Sequence, residues 1–279
     1  MDRTGMKVTA LSLILGFLFA GTAAGESIPL FSEGRPAPGY SKLLNRISPN
    51  PETVRFSDGT EITLVKKLGR GGTTVVYLSA EGNAVRIPAP ENPVANMRML
   101  HSFADQHNLL RDNDITIPDI VRAGRPVTDL PEDRAHPRRP GLEYVVVEKL
   151  EIDFLLADWI QGIMNQRIPL GNLGKALPRK EWEALLKFAR STWRFAFIAD
   201  LKPENIGWAG GKWILFDWAD HSLLYSEHLN KTVFTTDTWR GNDPANWTVK
   251  DWIYAELDQA ARTERILRSG CAMLLDLFR

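Results

Sequence analysis

The stretch from residue 199 to 220, ADLKPENIGWAGGKWILFDWAD, limits what this chain can become more than any other part of it. Asp200, Lys202 and Asn205 crowd one short segment, and Asp217 comes at the end of the apolar run KWILF. Between them stands Gly210-Gly211, a dipeptide that reads as a tight hairpin turn. A chain with no use for them has little reason to keep two carboxylates, an amide and an ammonium at such spacings around a hairpin.

The remaining composition is that of a globular protein. With 279 residues, 44% of them apolar and 24% charged, the chain can bury a real core in one large or two small domains. Its 34 basic and 34 acidic side chains cancel, so overall charge steers it toward neither nucleic acid nor an anionic membrane, and nucleic-acid binding is disfavoured as a class. Cys271 is the single cysteine, which excludes an intramolecular disulfide, and neither it nor the histidines has zinc-ligand spacing. Cys271 reads as a buried helix residue.

Residues 1–25 differ in kind from the rest of the chain. Arg3 and Lys7 precede an apolar run from Val8 to Ala20, and the small residues Thr22, Ala23, Ala24 and Gly25 come before Glu26. This is the layout of a secretory signal peptide cleaved after Ala24 or Gly25, and it is short of the roughly 20 apolar residues a bilayer span needs. The expectation is an exported chain, periplasmic or secreted, with no membrane span after cleavage.

Residues 26–53 are rich in Pro, Gly and Ser and read as an N-terminal arm. From Val54 the chain alternates apolar and polar residues, is rich in β-branched side chains, and is punctuated by Asp58-Gly59, Gly69 to Gly72 and Glu81-Gly82-Asn83, which predicts successive antiparallel strands. Residues 92–110 carry helical periodicity, with Val94, Met97, Leu100, Phe103 and Ala104 on one face. Two further strands, IPDIVRAGRPV and LEYVVVEKLE, flank a basic loop that reads as solvated. Beyond Glu151 helices take over: Trp182, Leu185, Leu186, Ala189, Trp193 and Phe197 fall at helical spacing after Pro178. All nine tryptophans lie after residue 158, which fits a second, heavily packed part spanning 151–279 behind a first part spanning 54–150.

Three constellations line up along the chain. LGRGGTTVVY (68–77) lies between two strands, and glycines there let backbone N–H groups approach an anion; as a bare turn signal this is weak. NAVRIP places Arg86 on the next strand. The third is the stretch 199–220, whose residue types match phosphoryl transfer, a reaction that needs Mg²⁺ against the phosphate oxygens, a group orienting the attacking hydroxyl, and a cation on the γ-phosphate. Asp217 and Asn205 offer hard oxygens to Mg²⁺. Asp200 could accept a hydrogen bond from an acceptor hydroxyl, and Lys202 could reach the transferred phosphate.

On these residues the chain resembles the protein kinase-like superfamily over roughly residues 60 to 260. Asp200-Leu201-Lys202-Pro203-Glu204-Asn205 is similar to the kinase catalytic loop, and Asp217-Trp218-Ala219 stands where kinases carry Asp-Phe-Gly. Gly69-x-Gly71-x-x-Thr74-x-Val76 resembles the nucleotide loop with Thr for the third glycine, and Ala84-Val85-Arg86 falls at the Val-Ala-Ile-Lys strand. The resemblance implies an α+β, bilobal kinase-like fold: an antiparallel β N-lobe with one helix, and a shortened, mainly helical C-lobe. It further implies ATP and Mg²⁺ as ligands, with Gly69, Gly71, Gly72, Val76, Ala84, Arg86 and Glu148 around the nucleotide, Asp200, Lys202 and Asn205 in catalysis, and Asn205 and Asp217 on the metal. Asp251, in KDWIYAEL, is implied to brace the catalytic loop.

The departures carry equal weight. Arg86 replaces the strand lysine that contacts phosphates and pairs with a helix acid, a change of geometry as well as size. Asp105 is the candidate partner acid, and Lys67 or Arg70 are alternative phosphate cations. Ile198-Ala199 replaces the usual His-Arg, so no receiver for an activation-loop phosphate is evident, and no Ala-Pro-Glu comes after Asp217. The expected activity is transfer of the γ-phosphate of ATP to a hydroxyl. Lys202 favours Ser/Thr of a protein as acceptor, while the shortened C-lobe suits a small-molecule or lipid acceptor equally. The rival expectation is an exported pseudokinase that binds nucleotide or a partner without catalysis; a scaffold without nucleotide is a third.

Overall fold

A computed structural model of the chain describes residues 27–32, 34–47, 51–112, 114–131, 140–192, 203–218 and 247–277. Residues 1–25, expected to be a signal peptide, and the residues Asp200 and Lys202 lie outside them, as do Trp193, Phe197 and the Ile198-Ala199 pair.

The alternating stretch after the arm folds as expected into an antiparallel sheet. Strands β4 (Glu52–Arg55), β5 (Glu61–Arg70), β6 (Thr74–Ser79) and β7 (Ala84–Pro88) pair in succession, and β9 (Val145–Val147) and β8 (Ile120–Ala123) complete the far edge. A two-residue strand β1 (Ile28–Pro29) adds in parallel to β4, giving the order β1-β4-β5-β6-β7-β9-β8. Every residue of β7 is buried, and its two faces part company: Val85 and Ile87 join one apolar cluster while Ala84 joins a second. That division follows from the period of two along a strand, and it turns Arg86 toward the same side as Ala84.

Helix α2 (Pro93–Arg111) packs on this sheet. Asn92 caps it by accepting the Ala95 N–H, and Met97, Leu100 and Phe103 are buried on the face the periodicity assigns.

The arm departs from its expected character as a mere lead-in. It folds into β1, a small hairpin of β2 (Phe31–Ser32) and β3 (Arg35–Pro36), and helix α1 (Tyr40–Arg46). Leu30, Phe31, Tyr40, Leu44 and Ile47 enter the same cluster as Val85 and Ile87. Two tyrosine hydroxyls fasten it: Tyr40 donates to the Pro88 carbonyl at 2.7 Å and Tyr77 of β6 donates to the Leu44 carbonyl at 2.7 Å. Burial pushes the Tyr77 phenol up to about 12 and raises Tyr40 as well, so both stay neutral donors at ordinary pH.

The second part is mainly helical: α3 (Leu156–Asn165), α4 (Leu173–Ala176), α5 (Arg179–Ser191) and α6 (Val249–Leu277). It also holds a sheet, because β10 (Phe154–Leu155) pairs with the hairpin of β11 (Ile206–Ala209) and β12 (Lys212–Leu215). Gly210 and Gly211 turn that hairpin with φ of 57° and 79°, the two left-handed residues a two-residue turn of this hand requires. Trp208, Trp213, Trp159 and Phe154 pack edge to face or offset around it, so these tryptophans are core residues. The Trp213 indole donates to the Glu181 carbonyl at 2.9 Å, tying β12 to α5.

The layout is the α+β, two-part arrangement expected, an antiparallel sheet with one helix followed by a mainly helical half. The halves share one core: Ala84, Leu100, Phe103, Val145 and Val147 belong to the same apolar cluster as Trp208, Trp213, Trp218 and Tyr254. Among the described residues no helix is long and apolar enough to cross a membrane. Cys271 lies on α6, with its side chain outside those described.

Candidate functional site

A cavity of about 520 Å³ opens between the two halves. The hairpin β5–β6 supplies Leu68, Gly69, Arg70, Gly71, Thr74 and Val76, and β7 supplies Ala84 and Arg86. Val147 to Leu150, with Pro118 and Ile152, close its back, and Asn205, Phe216 and Asp217 come from the second half. Its size and mixed lining suit a ligand larger than a few waters.

The sequence brings these groups together through short connections. Asn205 ends the single helical turn Pro203–Asn205 that leads into β11, and Asp217 lies two residues after β12. The hairpin folds these ends side by side, and the Phe216 N–H donates to the Asn205 carbonyl at 3.0 Å. Gly207, in the middle of β11, allows close packing there, since a Cβ would stand 2.8 Å from the Ile152 side chain. Asn205 and Asp217 therefore face one cavity, beneath the glycine hairpin.

Arg86 is the most constrained group in the site. It is only 7% exposed. Its guanidinium donates to Asp217 Oδ1 at 2.8 Å and to the Phe216 carbonyl at 2.6 Å, and it lies over the Phe103 ring at 4.4 Å from the centroid. Asp217 keeps 41% of its side chain exposed on the cavity side of this pair.

Of the residues expected around a nucleotide, Gly69, Gly71, Val76, Ala84, Arg86 and Glu148 line the cavity. Gly72 does not. The Gly71 N–H donates to the Thr74 carbonyl at 2.8 Å, which closes the hairpin and carries Gly72 to its tip. Asp105 is not the partner of Arg86: it is exposed and pairs with His101, one turn back along α2, at 2.9 Å. Phe103 is the α2 residue that faces Arg86, and a residue two positions on points about 200° away around a helix. Arg70 lines the cavity rim but is paired with Glu91, and Lys67 is absent from the lining. The segment that Asp251 is implied to brace, around Asp200 and Lys202, lies outside the described residues. Asp251 caps its own helix, accepting the Thr248 N–H at 2.8 Å and the Thr248 hydroxyl at 2.6 Å while its own N–H returns to that hydroxyl, a reciprocal cap. Among the described side chains of α6, Asp258 is a buried acid, paired with Arg262 at 2.7 Å.

Sequence reasoning missed the apolar walls Pro118, Val147, Leu150 and Ile152, and the carbonyl of Phe216. Only the position of Phe216 beside Asp217 was a signal for any of them.

Asn205 and Asp217 present an amide and a carboxylate, a donor set of hard oxygens that fits Mg²⁺. Among the described residues no group of three or more His, Cys, Asp or Glu side chains could hold a metal by itself, so such an ion would draw its remaining oxygens from a ligand or water.

No family model matches the chain. No curated protein matches it in sequence either. Among solved structures, the chain is similar to vaccinia related kinase 3, with a TM-score of 0.32 and 12% identity. That match covers 61% of this chain and 51% of the other, so the chain spans about half the length of that relative.

Proposed function

We infer that the chain is an ATP- and Mg²⁺-dependent phosphotransferase that moves the γ-phosphate to a hydroxyl, with Ser/Thr of a protein as acceptor. The observation that carries this reading is the convergence of Asn205, Asp217 and Arg86 on one cavity roofed by the glycine hairpin. The sequence resemblance over the catalytic loop supports it independently.

In this reading the apolar walls, Val76, Ala84, Val147 and Ile152, take the base, and Arg86 meets the phosphates from the strand side. Asp217 and Asn205 would hold Mg²⁺, which neutralises charge on the phosphate oxygens. Asp200 accepts the proton of the attacking hydroxyl. The new bond joins the acceptor oxygen to the γ-phosphorus as the bond to the β–γ bridging oxygen breaks, ADP leaves, and Lys202 offsets the charge on the moving group. The roles of Asp200 and Lys202 rest on the sequence alone. Export, if residues 1–25 direct it, puts the activity where ATP is supplied by another cell or compartment.

One observation favours a second reading. The carboxylate assigned to the metal is hydrogen-bonded to Arg86, a pairing that a metal would have to displace and that suits a pseudokinase holding a nucleotide or partner without turning over. Incubating the full chain with γ-labelled ATP, Mg²⁺ and a mixed protein acceptor separates the two. Transfer that falls by at least about 100-fold in Asp200→Asn and Asp217→Asn is the expected result. Nucleotide binding without transfer in wild type selects the pseudokinase, and equal behaviour of wild type and both variants removes the reading.

A further inference from the structure

The resemblance assigns the job of holding the strand cation to an acid on the following helix. This chain has no acid there: Asp105 faces solvent with His101. What α2 offers Arg86 instead is the ring of Phe103, 4.4 Å from the guanidinium carbon to the centroid, well inside the range of a cation–π contact.

That ring is itself clamped. Trp218 stacks on it with centroids 3.9 Å apart and planes 14° from parallel, and the Trp218 indole donates to the Phe103 backbone carbonyl at 3.2 Å. Two groups this near one ring centre must use its two faces, so guanidinium, phenyl and indole form a single column. The void beside it, lined by Thr73, Met99 and Leu100 among others, is only about 20 Å³, room for about one water. Rings packed this closely cannot swing away without opening a gap.

The column and the segment 216–218 form a closed loop of contacts. Phe216 gives its carbonyl to Arg86, Asp217 its carboxylate, and Trp218 its ring to the far side of Phe103. Of these, the Asp217 contact is the one a metal would compete for, whereas the aromatic contact does not involve the metal's donor.

Resting on the nucleotide reading of the cavity, the geometry points to Phe103 as a positioning residue for Arg86: its π-face, backed by Trp218, replaces a helix carboxylate in aiming the cation at the phosphate end of the site. Trp218, which stands where the resembling family carries Phe, braces the ring from behind. An aromatic holder also has no charge to neutralise Arg86, so the guanidinium keeps its full attraction for phosphate once Asp217 turns to a metal.

The test replaces Phe103 in the full chain by mono-, tri- and pentafluorophenylalanine, which keep the shape while draining the π-face of negative charge. Two quantities are measured across the series: the Kd for Mg-ADP, and, without nucleotide, the rotation and exchange of the Arg86 guanidinium by ¹⁵N NMR. Thermal melting checks the fold, and the same substitutions should hold or raise the melting point because a fluorinated ring stacks well on indole. The expected result is a stepwise loss of affinity, about 3- to 30-fold over the series, with faster guanidinium motion. A flat Kd in a wild type that binds nucleotide overturns the positioning role and leaves the nucleotide reading standing. A wild type that binds no nucleotide fails that reading; the NMR arm then decides, faster motion with fluorination supporting Phe103 as the holder of Arg86 and unchanged motion overturning it.

Discussion

Glu143 carries a carboxylate that is 3% exposed, with Oε2 accepting the Ser57 N–H at 2.8 Å and Oε1 buried without a hydrogen-bond partner among the described residues. Burial pushes its carboxyl up, against the lowering effect of Ser57, and nearby Asp58 pushes in the same direction as burial. An acid whose folded value is raised is penalised once ionised, so its cost sets in as pH climbs from the unfolded to the folded value and persists above it. Glu143→Gln should therefore stabilise the protein at pH 7 by about 1 kcal/mol, with little effect at acid pH, as read by denaturant unfolding at the two pH values. Asp58 has the opposite sign. Burial raises it, but hydrogen bonds from the Thr60 backbone and side chain, Tyr144 and the Arg125 N–H outweigh that and hold it low. Its contribution is present above the unfolded carboxylate value and is lost as pH falls through the folded value. Asp58→Asn should weaken the fold at neutral pH and not below the folded value, and a loss independent of pH would contradict the assignment. The Asp58-Gly59 turn is legible in sequence; the buried partner Glu143, 86 residues along the chain from Ser57, is not, because nothing local marks a glutamate that tertiary packing will cover.

Strands β4 to β7, the face of α2 and the hairpin β11–β12 could be read in advance because each shows its own period or its own turn residues. The arm could not. Its apolar residues come singly among Pro, Gly and Ser, so neither a period of two nor one of 3.6 emerges, and their burial depends on a sheet formed later in the chain. Leu44, 2% exposed on α1, should cost about 2–5 kcal/mol when cut to alanine, and Tyr77→Phe about 1 kcal/mol for the lost bond to its carbonyl. A loose lead-in would predict no change in either variant, and equilibrium unfolding distinguishes the two. Asp105 is the complementary failure: it lies in the right helix, but sequence distance does not fix which face of α2 meets β7, and Phe103 occupies that face.

Across the molecule, the shared core explains why the site can form at all. The Trp218 indole donates to the Phe103 carbonyl of α2, and the Leu215 N–H donates to the Thr116 carbonyl at 3.0 Å, so hydrogen bonds as well as the core join the two halves. The glycine hairpin, by contrast, meets the cavity with the Gly71 N–H used within its own turn, Gly69 paired with Val76 in the sheet and Arg70 paired with Glu91; in the proposed reading its grip on a phosphate would need the tip to open. In the proposed function, phosphate recognition would thus rest chiefly on Arg86 and on a metal held by Asp217 and Asn205. The most direct measurement of that claim is calorimetric titration of Mg-ATP into the full chain, repeated with Asp217→Asn and with the metal removed by EDTA. Saturable one-to-one binding by wild type is expected, weakened by at least about 10-fold, roughly 1.4 kcal/mol, both in the variant and without metal. Binding that is absent in wild type, or equally tight in the variant and in EDTA, would contradict it.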